Sequence, residues 1–239
     1  MNSEIYNVAG ADSLPSRISL RIRRKIFYQL CRLVDLHQQQ TVLDVGVTTD
    51  KSHRESNYFE AWFPYKKRIT AHSNQDAVWL EHDYPGLRFV HSDGREMPFP
   101  DASFDLVFSS AVLEHVGSFE NQENFLRECC RVSRHHVFLT TPNRWHPLEL
   151  HTALPLLHWL PKPTHRRLLK IFGLSALAKE ETLNLLDAQT LRTMCHNIGI
   201  ADFKIFRVFF LGFPSNLLLY INIAKNNRIR FEKKLNLGK

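Results

Sequence analysis

The sequence predicts a single open α/β domain, a mostly parallel sheet with helices on both faces. Three observations predict it. Strand-sized apolar segments alternate with segments of helical periodicity between Thr41 and Thr141, the signature of βαβ units. The first of those strands ends in an acid and a glycine, Val42-Leu43-Asp44-Val45-Gly46, as strands do where an open α/β sheet binds a ligand. The last two strand-like segments are separated only by Gly212-Phe213-Pro214-Ser215, so they must form an antiparallel hairpin. A chain of 239 residues has room for one such domain plus an insertion.

The elements follow in order. Residues 1–15 read as a loose leader. From Ser16 to Gln40 the residues Ile18, Ile22, Ile26, Leu30, Leu33 and Val34 recur on one helical face, with Arg17, Arg21, Arg24, Lys25 and Arg32 elsewhere around it. Strands are expected at Thr41–Gly46, Arg68–His72, Leu87–His91, Phe104–Ser109 and His136–Thr141. Helices are expected at Asn57–Phe63, Asp76–His82 and Asn121–Ser133. After Thr141 the pattern changes. Pro142, Pro147, Pro155, Pro161 and Pro163 interrupt it, and short helical pieces are expected at Ala153–Leu160 and His165–Phe172. Residues 143–184 are therefore read as a helical insertion over the sheet's carboxyl edge. Asp187 is a plausible N-cap for a helix reaching Ile198, with Gly199 as its stop. Strands at Ala201–Leu211 and Asn216–Ala224 bring the sheet to seven, and the domain to 16–224. Residues 225–239 read as a basic tail.

Composition narrows the function classes. A 44% hydrophobic and 23% charged chain can bury a core without a staple. Cys31, Cys129, Cys130 and Cys195 make no CxxC pair and read as reduced, which fits a cytoplasmic setting. The thirteen histidines are scattered, so no metal site is expected. No signal peptide or membrane-spanning run is legible. The net charge of +7 favours anionic partners. The basic residues are spread over the first helix, the insertion and the tail, with no basic-aromatic stripe, which argues against a nucleic-acid groove. Leu154, Leu156, Leu157, Trp159 and Leu160, followed by Lys162, His165, Arg166, Arg167 and Lys170, suggest a lid that also touches a membrane surface peripherally, together with the basic first helix.

The most informative run begins at Phe89-Val90-His91-Ser92-Asp93-Gly94 and continues through Met97-Pro98-Phe99-Pro100-Asp101 and Ser103-Phe104-Asp105-Leu106-Val107 to Ala111-Val112-Leu113-Glu114-His115. Behind the Val42–Gly46 strand, this run resembles class I S-adenosylmethionine-dependent methyltransferases, in the subgroup similar to the ubiquinone/menaquinone-biosynthesis C-methyltransferases. The resemblance covers about residues 40–142 and the closing helix and hairpin, but not 143–184. It implies a Rossmann-like methyltransferase fold with S-adenosyl-L-methionine as cofactor. By that resemblance Asp44 and Gly46 hold the amino-acid end of the cofactor. Asp93 and Gly94 meet the adenine, and the stretch through Ser110 and Val112 passes under the methionine portion. His115 closes that stretch near the methyl group.

Two departures stand out. The glycine-rich loop reads Gly46-Val47-Thr48-Thr49-Asp50, so only its first glycine stands. Thr48 stiffens the backbone there, and Asp50 could face the cofactor's ammonium. The acid that grips the ribose falls at Ser73, with Asp76 three residues on. Methyl transfer to a hydroxyl needs proton removal, for which His115 is one candidate and His151, which with His146 flanks Glu149, is another. Arg144-Trp145 would make either an anion-and-ring contact with substrate or a packed hinge. The expected activity is methylation, at oxygen, of a small-molecule or glycan-type acceptor, with surface-polysaccharide biosynthesis as the analogy. The competing readings are a methyltransferase-fold binding protein that has lost its glycine loop, and a nucleic-acid methyltransferase.

Overall fold

A computed structural model describes residues 13–37, 40–51, 53, 56–149, 151–152 and 154–226. The strands are β1 (Val42–Val45), β2 (Ile69–Ser73), β3 (Arg88–His91), β4 (Phe104–Ser110), β5 (Ser133–Pro142), β6 (Phe203–Phe210) and β7 (Phe213–Asn222). They form one seven-stranded sheet in the order β3-β2-β1-β4-β5-β7-β6. All pairings among β1 to β5 are parallel, and β7 runs antiparallel to both β5 and β6. This is the Rossmann-like methyltransferase sheet, mostly parallel with a reversed last strand.

The strand order reverses direction at β1, whose neighbours are β2 and β4. In an open sheet that switch point leaves a crevice beyond the strands' carboxyl ends. Side chains alternate across the sheet as a period of two requires. Leu43, Val45, Val107, Val137 and Leu139 face one core with Phe125, Leu126 and Leu191. Val42, Leu106, Phe108 and Phe138 face the other with Ile22, Ile26, Leu30, Phe59 and Phe63. The two helical layers are thus α4 (Phe119–Val132) and α6 (Ala188–Asn197) on one side, and α1 (Leu14–Leu33) and α2 (Tyr58–Trp62) on the other.

Helix α1 starts where Ser13 accepts a hydrogen bond from the Ser16 amide and ends at Leu33, short of the expected Gln40. Its apolar stripe is spent on the sheet, while Arg17, Arg21, Arg24, Lys25 and Arg32 are exposed. Asp187 caps α6 by accepting from the Thr190 amide at 2.8 Å, as expected. Between Asp76 and His82 the helix is shorter than expected, as α3 covers only Trp79–Asp83.

The insertion departs most from expectation. The helical piece expected over Ala153–Leu160 is a single tight turn at Leu157–Trp159, and Ala153 lies outside the described residues. Leu156 sits in the left-handed region at φ +61° and Leu148 bridges Pro155, so flanking prolines prevent a longer helix. The second piece does form, as α5 (Lys162–Ile171). Leu169, Leu177, Ala178, Leu183 and Leu185 give the insertion a small core of its own. Among the described residues no helix is long and apolar enough to cross a membrane. The leader through residue 12, and the tail from residue 227, lie outside the described residues.

The packing predicts where the domain is fragile. Phe59 is fully buried and stacks on Phe63 at 5.3 Å and Phe108 at 4.7 Å. Phe59→Ala is expected to cost about 3–5 kcal/mol in urea unfolding. Lys25→Ala, on the exposed face of α1, is expected to stay within about 0.5 kcal/mol of the parent.

Candidate functional site

The site is built on the turn after β1. Gly46 has φ +92°, a region that side-chain-bearing residues rarely adopt. A Cβ added there would meet Val112 Cγ2 at 2.2 Å. The His72 carbonyl accepts from the amides of both Gly46, at 2.7 Å, and Val47, at 3.2 Å, which ties the end of β1 to that of β2. Gly94 is equally tight, because its Cβ would lie 2.8 Å from the Phe125 ring. Gly46 and Val112, assigned separately by the resemblance, are therefore adjacent walls of one edge.

The loop that has lost its glycines is held another way. Asn57, itself at φ +50°, accepts from the Thr48 amide and donates to the Thr48 carbonyl, both at 2.9 Å. Asp50 accepts from Ser56 Oγ at 3.1 Å and pairs with His53 Nδ1 at 2.6 Å. The Asp50 carboxylate is thus engaged within its own loop, which counts against its facing an ammonium. At the end of β2 Ser73 is buried, and its hydroxyl accepts from the Gln75 amide at 3.2 Å. Asp76 is exposed and accepts from the Val78 amide at 3.0 Å, turned to the start of α3. Asp93 holds Arg95 through both oxygens, which keeps its carboxyl below the ordinary range. Ser110, at the end of β4, accepts from Tyr58 Oη at 3.0 Å and lies 3.1 Å from Thr140 Oγ1.

Beneath this edge is a residue that the sequence did not single out. Glu60 on α2 is fully buried and lies against Asp44, itself 5% exposed. Burial, then the neighbouring Glu60, drives Asp44 well above the carboxylate range; burial lifts Glu60 to about 7. Neither Glu60 oxygen has a well-formed hydrogen bond. The Lys66 ammonium caps the backbone carbonyls of Glu60, Ala61 and Phe63 rather than the carboxylate. The available signal was an acid inside the aromatic run Tyr58-Phe59-Glu60-Ala61-Trp62-Phe63.

On the far side of Val112, the tight turn Leu113–His115 carries a second buried polar group. His115 and His151, 36 residues apart in sequence, meet edge to face with ring centroids 5.0 Å apart. His115 Nδ1 lies 2.7 Å from the Thr182 carbonyl. His151 Nδ1 lies 2.5 Å from Glu149 Oε1, and Glu149 also accepts from the amides of His151 and Thr152. Glu114 is fully buried and accepts from Thr141 Oγ1 at 2.9 Å. Burial lifts Glu114 to about 7. Burial, then the charge of His151, lowers His115 to about 3. Burial opposes ionisation of Glu149, but the hydrogen bond and charge of His151 outweigh it and leave Glu149 at about 2. The same partner holds His151 up against its own burial. His115 is therefore neutral and weakly basic, whereas Glu149 favours the charged form of His151. His146 does not join the cluster; its Nδ1 is 2.8 Å from the Leu148 carbonyl.

The insertion adds a small, shallow basic opening lined by Arg144, His158, Lys162, His165 and Arg166. Burial lowers Arg144 and Lys162. Trp145 donates to Asp187 at 3.0 Å and is 48% exposed, so the Arg144-Trp145 pair is packed yet still presents its ring to solvent.

The Asp44–Glu60 pair makes stability depend on pH. Below about pH 4.5 Glu60 is protonated in both folded and unfolded chains. Between there and about pH 7 the unfolded chain ionises first, so stability falls as pH rises. Glu60→Gln is expected to melt at a higher temperature than the parent at pH 8, with a smaller difference at pH 4. An equal difference at both pH values, by thermal scanning, would contradict the buried-acid assignment.

Comparison with known proteins agrees with this geometry. Residues 43–140 match the model of a methyltransferase domain family. A stretch of 63 residues is 40% identical to a probable S-adenosylmethionine-dependent methyltransferase of Mycobacterium tuberculosis, covering 26% of this chain and 22% of that one. The same length is 44% identical to a probable S-adenosylmethionine-dependent methyltransferase of Mycolicibacterium smegmatis, covering 26% and 23%. The match thus spans less than a quarter of the length of these curated relatives. Among solved structures, a SAM-dependent methyltransferase from Aquifex aeolicus aligns over 87% of this chain and 93% of its own, with TM-score 0.55 and 16% identity. One from Mesorhizobium loti aligns over 81% and 95%, with TM-score 0.56 and 15% identity. The family and the relatives' names imply S-adenosyl-L-methionine as cofactor. Residues 43–140 thus match a methyltransferase domain family, and the chain has the Rossmann-like fold of these methyltransferase structures.

Proposed function

We propose that this chain transfers a methyl group from S-adenosyl-L-methionine to an oxygen of a small-molecule or glycan-type acceptor. The observation that carries the proposal is that Val112, packed against Gly46 after β1, leads directly into the turn whose Glu114 and His115 join the buried cluster with Glu149 and His151.

The residues fit the cofactor. Asp44 and Glu60 are a buried acid pair, neither Glu60 oxygen has a well-formed hydrogen bond, and a cationic ammonium would offset their charge. Gly46 gives close backbone approach, Ser110 and Val112 form the wall, and Ser73, Asp93 and Gly94 serve the nucleoside. Thr48, fixed by Asn57, holds the loop in place. The bound cofactor supplies an electrophilic methyl group on a sulfonium, so the protein's task is to position an acceptor and ease the loss of its proton. The His115–His151 cluster is the polar group available for that, at the mouth of the insertion. The basic opening around Arg144 and Lys162 suits an acceptor that also carries a phosphate or carboxylate. The exposed Trp145, Trp159 and Leu160 beside it suit a lipid-linked acceptor or peripheral contact with an anionic membrane.

A second reading, a non-catalytic binding module, is favoured by one observation: Asp50 and Asp93 already have protein partners. Calorimetric titration with S-adenosylhomocysteine separates the two. Micromolar binding is expected, reduced at least tenfold by Gly46→Ala; no binding at millimolar ligand would sink the methyltransferase reading. In the active protein His151→Ala is expected to lower turnover at least a hundredfold with S-adenosylhomocysteine affinity unchanged. For the membrane contact, cosedimentation with phosphatidylserine vesicles at low salt is expected, and its absence would remove that partner.

A further inference from the structure

From Glu114, His115 and His151 we infer a site for one divalent transition-metal cation, where none is expected from the sequence. One ligand atom from each of these three residues lies within 4.8 Å of the other two. Glu114 Oε1 is 3.9 Å from His115 Nε2.

The tautomers are set from outside the cluster. The Thr182 carbonyl can only accept, so His115 donates to it from Nδ1 and keeps its lone pair on Nε2. The Glu149 carboxylate receives Nδ1–H of His151 in the same way, and leaves Nε2 as that ring's lone-pair atom. Carboxylate and carbonyl acceptors behind metal-bound histidines play this part in general, fixing both ring orientation and tautomer. Glu149 is itself held by two backbone amides, so it is a rigid outer partner.

Glu114 provides an independent observation. Its Oε2 accepts from Thr141, but Oε1 is fully buried without a hydrogen bond. An acceptor atom left so would cost about 1–3 kcal/mol. A cation between Oε1 and the two Nε2 atoms would satisfy it. Ligands about 2.1 Å from one ion stand about 3–4 Å apart, so the 3.9 Å pair is already in range and the widest separation closes by roughly 1 Å. His115 keeps 15% of its side chain exposed, which gives an ion a way in.

Two imidazoles and one carboxylate suit zinc, manganese or ferrous iron, and leave coordination positions open. Val112, two residues before Glu114 in the chain, joins this cluster to the Gly46 edge. There a bound cation would hold an acceptor hydroxyl and favour its ionised form. That consequence rests on the methyltransferase reading, whereas the site itself does not.

The test uses the full chain stripped with a chelator. Titration with Zn(II) by calorimetry is expected to show one ion per chain at micromolar affinity or better. Glu114→Gln and His151→Ala are each expected to weaken it at least tenfold, and Glu149→Gln, which touches no ion, by about tenfold. His82→Ala, at an exposed histidine, is expected to leave it unchanged. Because a core variant can fail to fold, Co(II) is added to the unmodified chain as well, and visible bands from histidine-bound cobalt are expected. No stoichiometric Zn(II) binding, no cobalt spectrum, or equal affinity in folded His151→Ala would overturn the site. S-adenosylhomocysteine affinity is measured on the same stripped sample. Its loss alone would count against the methyltransferase reading and leave the cation site standing.

Discussion

The carboxyl edge of the sheet depends on one steric constraint, the closeness of Gly46 to Val112. No side chain can be inserted between them, since a Cβ at Gly46 would overlap Val112. The positive φ of Gly46 turns the chain sharply out of β1, and its amide, with that of Val47, lands on the His72 carbonyl. That pair of hydrogen bonds sets the ends of β1 and β2 level. Val112 in turn fixes where the turn carrying Glu114 and His115 leaves β4. The edge after β1 and the turn carrying Glu114 and His115 are therefore positioned by the same contact.

A structure optimised for stability alone would not keep Asp44, Glu60, Glu114 and Glu149 in its interior. Each is at most 5% exposed. Breaking the pairing of a buried ion costs about 3–5 kcal/mol, and replacing such groups by apolar ones of similar shape is often neutral or stabilising. Glu149 is answered in full by His151 and two amides. Neither Glu60 oxygen, nor the Oε1 atom of Glu114, has a well-formed hydrogen bond. One of these acids lies on α2 against Asp44, the other at the turn after β4. Polar groups left wanting at functional positions are where local rules are expected to fail.

Much of the fold was legible because a period of two and a period of 3.6 are hard to confuse over long segments. The strands from β1 to β5, the reversed β7 and the helix capped by Asp187 follow from pattern, turn chemistry and one N-cap. The insertion was legible only in outline. Pro155 and Pro161 announced interruption, but not that Leu156 would take a left-handed conformation and reduce a helix to one turn. Within the site, Gly46 and Val112 could be placed by resemblance, and Asp50 could be named but not assigned, because its answer is His53 three residues away. Glu60 was missed because an acid on a short helix normally faces water. The meeting of His115 with His151 was invisible to spacing, since 36 residues and a whole strand separate them. For the same reason the scattered histidines carry no metal-ligand spacing.

The missing glycines need not mean a disabled loop. A glycine-rich turn serves to let the backbone bend tightly and present its amides; it has no rigidity of its own. Here the side-chain amide of Asn57 clamps both the N–H and the C=O of Thr48. Asp50 closes the rest of the loop against His53 and Ser56. Asparagine tolerates the left-handed region better than other side-chain-bearing residues, and φ +50° at Asn57 lets it serve as this clamp at the start of α2, fixing from outside the loop a turn that has lost two glycines. The loop loses flexibility and gains pre-organisation, which lowers the ordering cost of any ligand that binds the conformation it already holds. The substitution thus exchanges adaptability for a fixed shape and favours a site built for one cofactor.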